Sequence, residues 1–240
     1  MKTPQSNRLS NEALRCDIPY LPPLDWDWMF SYLRGRALIG VEYVDNHRYL
    51  RTVAPDKNRW QSCGWIVAEP SPEKHLLRLE VSISLATDLP AIRARVERLF
   101  DLTANPQQIA AGLRALASGA TKRMGLRVPG AFNGFEVAVR AILGQQISVK
   151  SATTIACRFA AAFGKTVETP FPALTRLTPT PERVAQAEIG EIASLGIIAT
   201  RSKSILALAE AVAGGRIILE PKDNVNHVAE TIVRLKELPG

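Results

Sequence analysis

The chain has 240 residues and a mass of 26.3 kDa, enough for two domains with cores of their own. Apolar residues make up 46% and charged residues 22%, a balance that excludes wholesale disorder. Lys plus Arg is 30 against 23 Asp plus Glu, a net charge of +7, and no run of 18 apolar residues is present that would cross a membrane.

In chain order, residues 1–18 read as a polar N-terminal tail without the apolar stretch of a secretory signal. Trp26, Met29, Phe30 and Leu33 fall on one helical stripe behind Asp25, which predicts a short capped helix ending at Gly35. Ile39–Val44 and Arg48–Val53 flank Asp45-Asn46-His47 and predict a hairpin. Gly64–Ala68 is a further strand candidate. Leu77, Leu79, Val81, Ile83 and Leu85 alternate with polar residues, which predicts a half-buried antiparallel strand. Residues 19–88 therefore read as an antiparallel α+β domain.

Past residue 88 the period changes. Ile92, Val96, Leu99 and Phe100 form a helical stripe, and Asn105-Pro106 opens a second helix with a cap and a proline at its first position. Phe135–Leu143 predicts a helix stopped by Gly144, and Ser148 caps the next, with Ala152, Ile155, Phe159 and Phe163 on its stripe. Thr180-Pro181 opens a helix ending near Gly196, and Ser202–Val212 and Val225–Leu238 are two more. Residues 89–240 thus read as a bundle of about seven helices.

Charge is unevenly spread. Residues 1–100 carry 14 basic and 12 acidic side chains, residues 101–160 carry 7 and 2, and residues 161–240 carry 9 and 9. A basic stretch holding Lys122, Arg123, Arg127, Arg140 and Lys150 fits a solvated face or a phosphate backbone. Cys16, Cys63 and Cys157 are odd in number and far apart, and His47, His75 and His227 pair with nothing at metal spacing. These patterns predict no disulfide framework, no metal, no cofactor and a reducing cytoplasm. The one unusual motif is Gly144-Gln-Gln-Ile-Ser148 between two helices in the basic quarter. Paired glutamines there serve either as an ordinary polar turn or as hydrogen-bonding groups for bases and phosphates. Leu238-Pro239-Gly240 reads as a helix stop or as the opening of a phosphate-binding hairpin.

Arg140-Ala-Ile-Leu-Gly-Gln-Gln-Ile-Ser148, with Leu126-Arg-Val-Pro-Gly130, Phe135-Glu136, Phe100-Asp-Leu102 and Leu24-Asp-Trp-Asp-Trp-Met29, resembles the 3-methyladenine DNA glycosylase II family of the helix-hairpin-helix glycosylases. The resemblance implies an N-terminal domain like half of the TATA-binding protein, followed by an all-α glycosylase bundle. It implies a monomer acting on double-stranded DNA that contains alkylated bases, flipping the base and hydrolysing its N-glycosidic bond. It assigns DNA contacts to Gln145, Gln146, Ser148, Lys150, Leu238, Pro239 and Gly240, with Gln146 as the wedge. Tyr32 and Arg36 are assigned to the base pocket.

The family's catalytic Asp follows the hairpin, and none of Asp17, Asp25, Asp27, Asp45, Asp56, Asp88, Asp101 or Asp223 stands at the matching position. The expected carboxylate lies beyond Gly240, so these residues are expected to bind duplex DNA without excising bases. Two readings stay open: a repair glycosylase cut short at the hairpin, and a catalytically inactive DNA-binding module. Asn133 also departs from the family, whose members often carry an acidic residue there.

Overall fold

The computed structural model describes residues 13–54, 62–116, 124–220 and 225–239. Strands β1 (Ala13–Pro19), β2 (Glu42–Val44), β3 (Tyr49–Val53), β4 (Gly64–Ser71) and β5 (Leu76–Ser82) form an antiparallel sheet in the order β1-β5-β4-β3-β2. The alternation in β5 works as the pattern demands: Leu77, Leu79 and Val81 are buried and Arg78 and Glu80 half-buried. Its predicted C-terminal end, from Ile83, instead winds into a 3₁₀ turn running to Asp88.

Residues 13–18 are not tail. They pair with β5 in register, Cys16 opposite Leu79, and Ile18 is fully buried. Their apolar positions are too few to read as a strand alone; the neighbouring strand supplies the other half of the ladder. The change of character at residue 88 is likewise not a packing boundary. Helix α1 (Trp26–Arg34) and helix α2 (Leu89–Leu99) both lie in the same core as the sheet, with Ile92, Val96, Leu99 and Phe100 beside Tyr49, Leu77 and Leu79. Phe132 joins them.

Strand β3 and the first five residues of β4 are buried on both faces, which their sequences did not specify. Their second face is covered from the helical half. Phe171 meets Trp65 edge-on at 4.9 Å, Leu174 packs on Leu50 and Val67, and the Thr175 and Arg176 amides donate to the Gly40 carbonyl at 2.8 and 2.9 Å. The loop that does this contains few strand or helix signals, so its partner could not be read locally.

The helices that follow are α3 (Pro106–Leu116), α4 (Gly134–Gly144), α5 (Val149–Phe163), α6 (Pro181–Ala185), α7 (Ile189–Ala193), α8 (Ala199–Ala213) and α9 (Val225–Lys236). The predicted helix from Thr180 to Gly196 is two short ones, because Glu188 starts a new capping box with Glu191. Asn105, Ser148 and Thr180 cap as expected: the Asn105 side chain accepts from Gln107 N at 2.9 Å. A second core forms where α4, α5 and α8 meet, around Val139, Leu143, Phe159, Ile205 and Leu208.

Gly130 shows how closely the segment before α4 is packed. Its amide donates to the Leu99 carbonyl at 3.0 Å, and a Cβ there would collide with the Arg98 carbonyl oxygen. Gly130→Ala is expected to lower stability by about 2 kcal/mol, because backbone cannot move aside as a flexible side chain can. The urea midpoint should fall with an unchanged m value.

Candidate nucleic-acid interface

Helix α4 begins at Asn133, whose side chain accepts from the Glu136 amide at 2.9 Å. An Asn does this as well as an acid, so the departure from the family leaves the cap intact. Phe135, Val139 and Leu143 turn into the second core. Beyond Gly144 the chain turns sharply: Gln145 is extended and Gln146 is left-handed, with φ 58°. Ser148 then caps α5 by accepting from Ser151 N at 3.2 Å. Gln145, Gln146, Ser148 and Lys150 are all exposed on this one helix–turn–helix tip. Arg201, in the first turn of α8, donates to the Gln145 carbonyl oxygen.

Leu238 and Pro239 follow α9. The Leu238 amide donates to Leu235 O at 3.2 Å, its side chain packs half-buried against the second core, and Pro239 is exposed. Gly240 lies outside the described residues, so the hairpin itself is not on view.

Tyr32 and Arg36 sit one turn apart on and just after α1. The Arg36 guanidinium lies 3.8 Å from the centroid of the Tyr32 ring, and Trp28 stacks on that ring at 5.6 Å. Both border a cavity of about 110 Å³ shared with Glu42, Glu136, Val137 and Arg140. The structure thus brings the two predicted pocket residues to the flank of α4, the helix that ends in the glutamine turn.

The floor of that cavity is a charged network that sequence reasoning missed. Arg51 is 2% exposed, and Glu42 lies directly opposite it across the β2–β3 ladder. Arg51 pairs with Glu136 of α4 and lies 3.5 Å from Glu42. Arg140 reaches Glu136 at 2.9 Å and Glu42 at 3.3 Å, and donates to the Arg36 carbonyl. Tyr49 donates to Glu42 at 2.6 Å, Thr178 to Glu136 at 3.2 Å, and the Leu38 amide to Glu42 at 3.0 Å. Phe132 lies under the Arg51 guanidinium at 4.4 Å. The only advance signal was charge inside otherwise apolar segments: Arg51 within a strand, and Glu136 and Arg140 four residues apart on one helix.

Burial alone would push the Glu136 carboxyl up, but the Arg51 and Arg140 guanidiniums outweigh it and hold the group below the usual carboxylate range. Burial also pushes the Tyr49 phenol well up, so it stays a donor.

The network corrects the charge count. Arg140 is spent on Glu136 and Glu42 rather than offered to phosphate. Arg127 is equally occupied: it is 3% exposed and donates to the carbonyls of Leu21, Ala104 and Pro23. Lys122 and Arg123 lie outside the described residues, and Lys150 is exposed.

Because Glu136 titrates lower when folded, its contribution is complete above its unfolded value of about 4.3 and is lost as pH falls through the folded value. Glu136→Gln should cost about 3 kcal/mol at neutral pH, since the buried Arg51 and the half-buried Arg140 lose a counter-charge. Urea titrations should show that gap to the parent narrowing as pH falls below the unfolded glutamate value of about 4.3 and closing further as the folded Glu136 takes up its proton.

Comparison with known proteins agrees with this architecture. Residues 15–133 match the AlkA N-terminal domain family, and residues 139–238 match the HhH-GPD superfamily of base excision DNA repair proteins. DNA-3-methyladenine glycosylase 2 of Escherichia coli is 34% identical over 223 residues, covering 93% of this chain and 75% of that protein. A probable bifunctional transcriptional activator/DNA repair enzyme AlkA of Mycobacterium tuberculosis is 32% identical over 206 residues, covering 85% of this chain and 40% of the relative. The solved 3-methyladenine DNA-glycosylase of Archaeoglobus fulgidus superposes with a TM-score of 0.61 at 20% identity, covering 82% of this chain and 66% of that one. An 8-oxoguanine glycosylase/lyase of Clostridium acetobutylicum, solved with double-stranded DNA, gives 0.54 at 12% identity over 86% and 67% of the two chains. With its antiparallel sheet, its helical second half and 34% identity across nearly its whole length, the chain belongs to the 3-methyladenine DNA glycosylase II family, within the HhH-GPD superfamily of base excision repair proteins.

Proposed function

We propose that this chain serves base excision repair of alkylated DNA, and that the Gln145–Gln146 turn is the element that enters the duplex. The observation that carries this reading is the exposed, left-handed Gln146 at the tip between α4 and α5. A glycosidic bond cannot be reached inside stacked DNA, so the damaged nucleotide must rotate out and the gap must be filled. Gln146 is long enough to fill it and has donors and acceptors for the bases left behind. Ser148 and the start of α5 lie beside the backbone, and exposed Lys150 supplies phosphate neutralisation. Leu238, Pro239 and Gly240 open a second phosphate contact beyond α9.

The extruded base is received beside Tyr32. An alkylated purine often carries positive charge, which favours an aromatic face. Arg36 lies against the Tyr32 ring in the free protein, so a base stacking there exchanges one cation for another. Hydrolysis breaks the bond between base and sugar: water adds at the sugar carbon while a carboxylate stabilises the developing positive charge, and the base departs. Glu42 and Glu136, which border the cavity, are engaged by Arg51 and Arg140 and serve the fold instead. The carboxylate that the family resemblance implies after the hairpin is neither of these. The second reading is a DNA-binding module without catalysis.

Gln146→Ala should reduce the preference for abasic-site duplex over intact duplex about tenfold, measured by fluorescence anisotropy; an unchanged preference sinks the wedge. Lys150→Ala should weaken binding to both duplexes alike and reduce the slope of log K against log salt by about 1. Release of methylated bases from duplex DNA separates the readings: binding with release supports the enzyme, and binding without it supports the module.

A further inference from the structure

The C-terminal end of α4 is left unfinished by its own sequence. The last carbonyls of a helix lack internal donors and gather partial negative charge, yet the last turn of α4 carries no basic residue. The closing cation comes from another helix: Arg201 Nη2 donates to the Gln145 carbonyl oxygen. Arg201 stands in the first turn of α8, and that turn holds no acidic residue. A cation there opposes the dipole of α8 itself, so local helix preference does not account for it; the contact across to α4 does.

The turn needs such a hold. Gln146 occupies the left-handed region, which side chains other than glycine rarely adopt. The Gln145 amide reaches Ile142 O only at 3.4 Å, and both glutamine side chains are exposed, so packing does not fix them.

We propose that Arg201 is a positioning residue: it ties the end of α4 to α8 and holds the glutamine turn in the conformation that presents Gln146 to DNA. The proposal rests on the turn being the DNA-entering element. Arg201 acts through the Gln145 carbonyl and contacts no base. Its charge tidies the dipole of α4, and its hydrogen bond pre-orders the residue before the wedge, so that little ordering remains at the moment of binding.

The test uses the full 240-residue chain and its Arg201→Ala, Arg201→Lys and Gln146→Ala variants. Amide hydrogen exchange reads the end of α4 directly. Arg201→Ala should speed exchange at Leu143, Gly144 and Gln145 about fivefold and leave the amides of β5 unchanged. Its preference for abasic-site over intact duplex should fall about fivefold, with the salt slope unaltered. Arg201→Lys, which keeps a donor and the charge, should recover most of both. Unaltered exchange in Arg201→Ala overturns the inference whatever happens to DNA binding. A salt slope smaller by about 1 with the preference intact makes Arg201 a phosphate contact and overturns it equally. If Gln146→Ala keeps its preference, the reading of the turn fails, and that result does not depend on Arg201.

Discussion

Two arginines and two glutamates packed between a sheet and a helix, all but Arg140 buried, hold this molecule's parts in register. Arg51 comes from β3, Glu42 from β2, and Glu136 and Arg140 from α4. Burying such charges is expensive, and an ion pair of this kind adds little net stability over an apolar contact of the same shape. What it adds is direction. Each guanidinium has several acceptors at fixed angles, and Tyr49, Thr178 and the Leu38 amide fill the remaining sites on the carboxylates. A sliding apolar interface would let α4 rotate or shift by a fraction of a turn. Here Glu136 and Arg140 tie α4 to Arg51 of β3 and Glu42 of β2.

That constraint acts at a distance because α4 is stiff. The helix has 11 residues, roughly 16 Å at about 1.5 Å per residue; its third and seventh residues carry the network, and its last residue precedes the glutamines. Asn133 fixes where the helix starts, Phe135, Val139 and Leu143 fix its face, and Glu136 and Arg140 fix its rotation. The direction in which α4 delivers the exposed turn is therefore set in part by Glu136 and Arg140, nine and five positions before Gln145. Tyr32 and Arg36 are drawn to the same helix by the Arg140 bond to the Arg36 carbonyl, so the cavity and the turn share one reference.

Features governed by neighbours in the chain were legible in the sequence. The alternation of β5, the Asp25, Asn105 and Ser148 caps, the hairpin between β2 and β3 and the Gly144 stop follow from residues a few positions apart. Features made by distant partners were not. β1 gains its identity from β5, the second face of β3 and β4 is closed by Phe171 and Leu174, and Glu42 and Arg51 meet Glu136 and Arg140 from the other half of the chain. The candidate site divides the same way. The glutamine turn is a local motif and could be located, whereas Arg201, which touches it, lies 56 positions further on.

The basic quarter of the chain shows why net charge misleads about binding. Its excess of five positive charges invited a reading as an electrostatic footprint. Yet Arg127 is buried among three backbone carbonyls, and Arg140 sits between two carboxylates. Long-range attraction to DNA still senses those charges, because fields sum over buried and exposed groups alike. Direct neutralisation of a phosphate does not, since it requires a side chain that can reach one. The same quarter therefore steers with more charge than it can apply at contact. On the role proposed for the glutamine turn, binding built this way depends less on the number of phosphate bonds and more on the fit of that turn to the distorted strand.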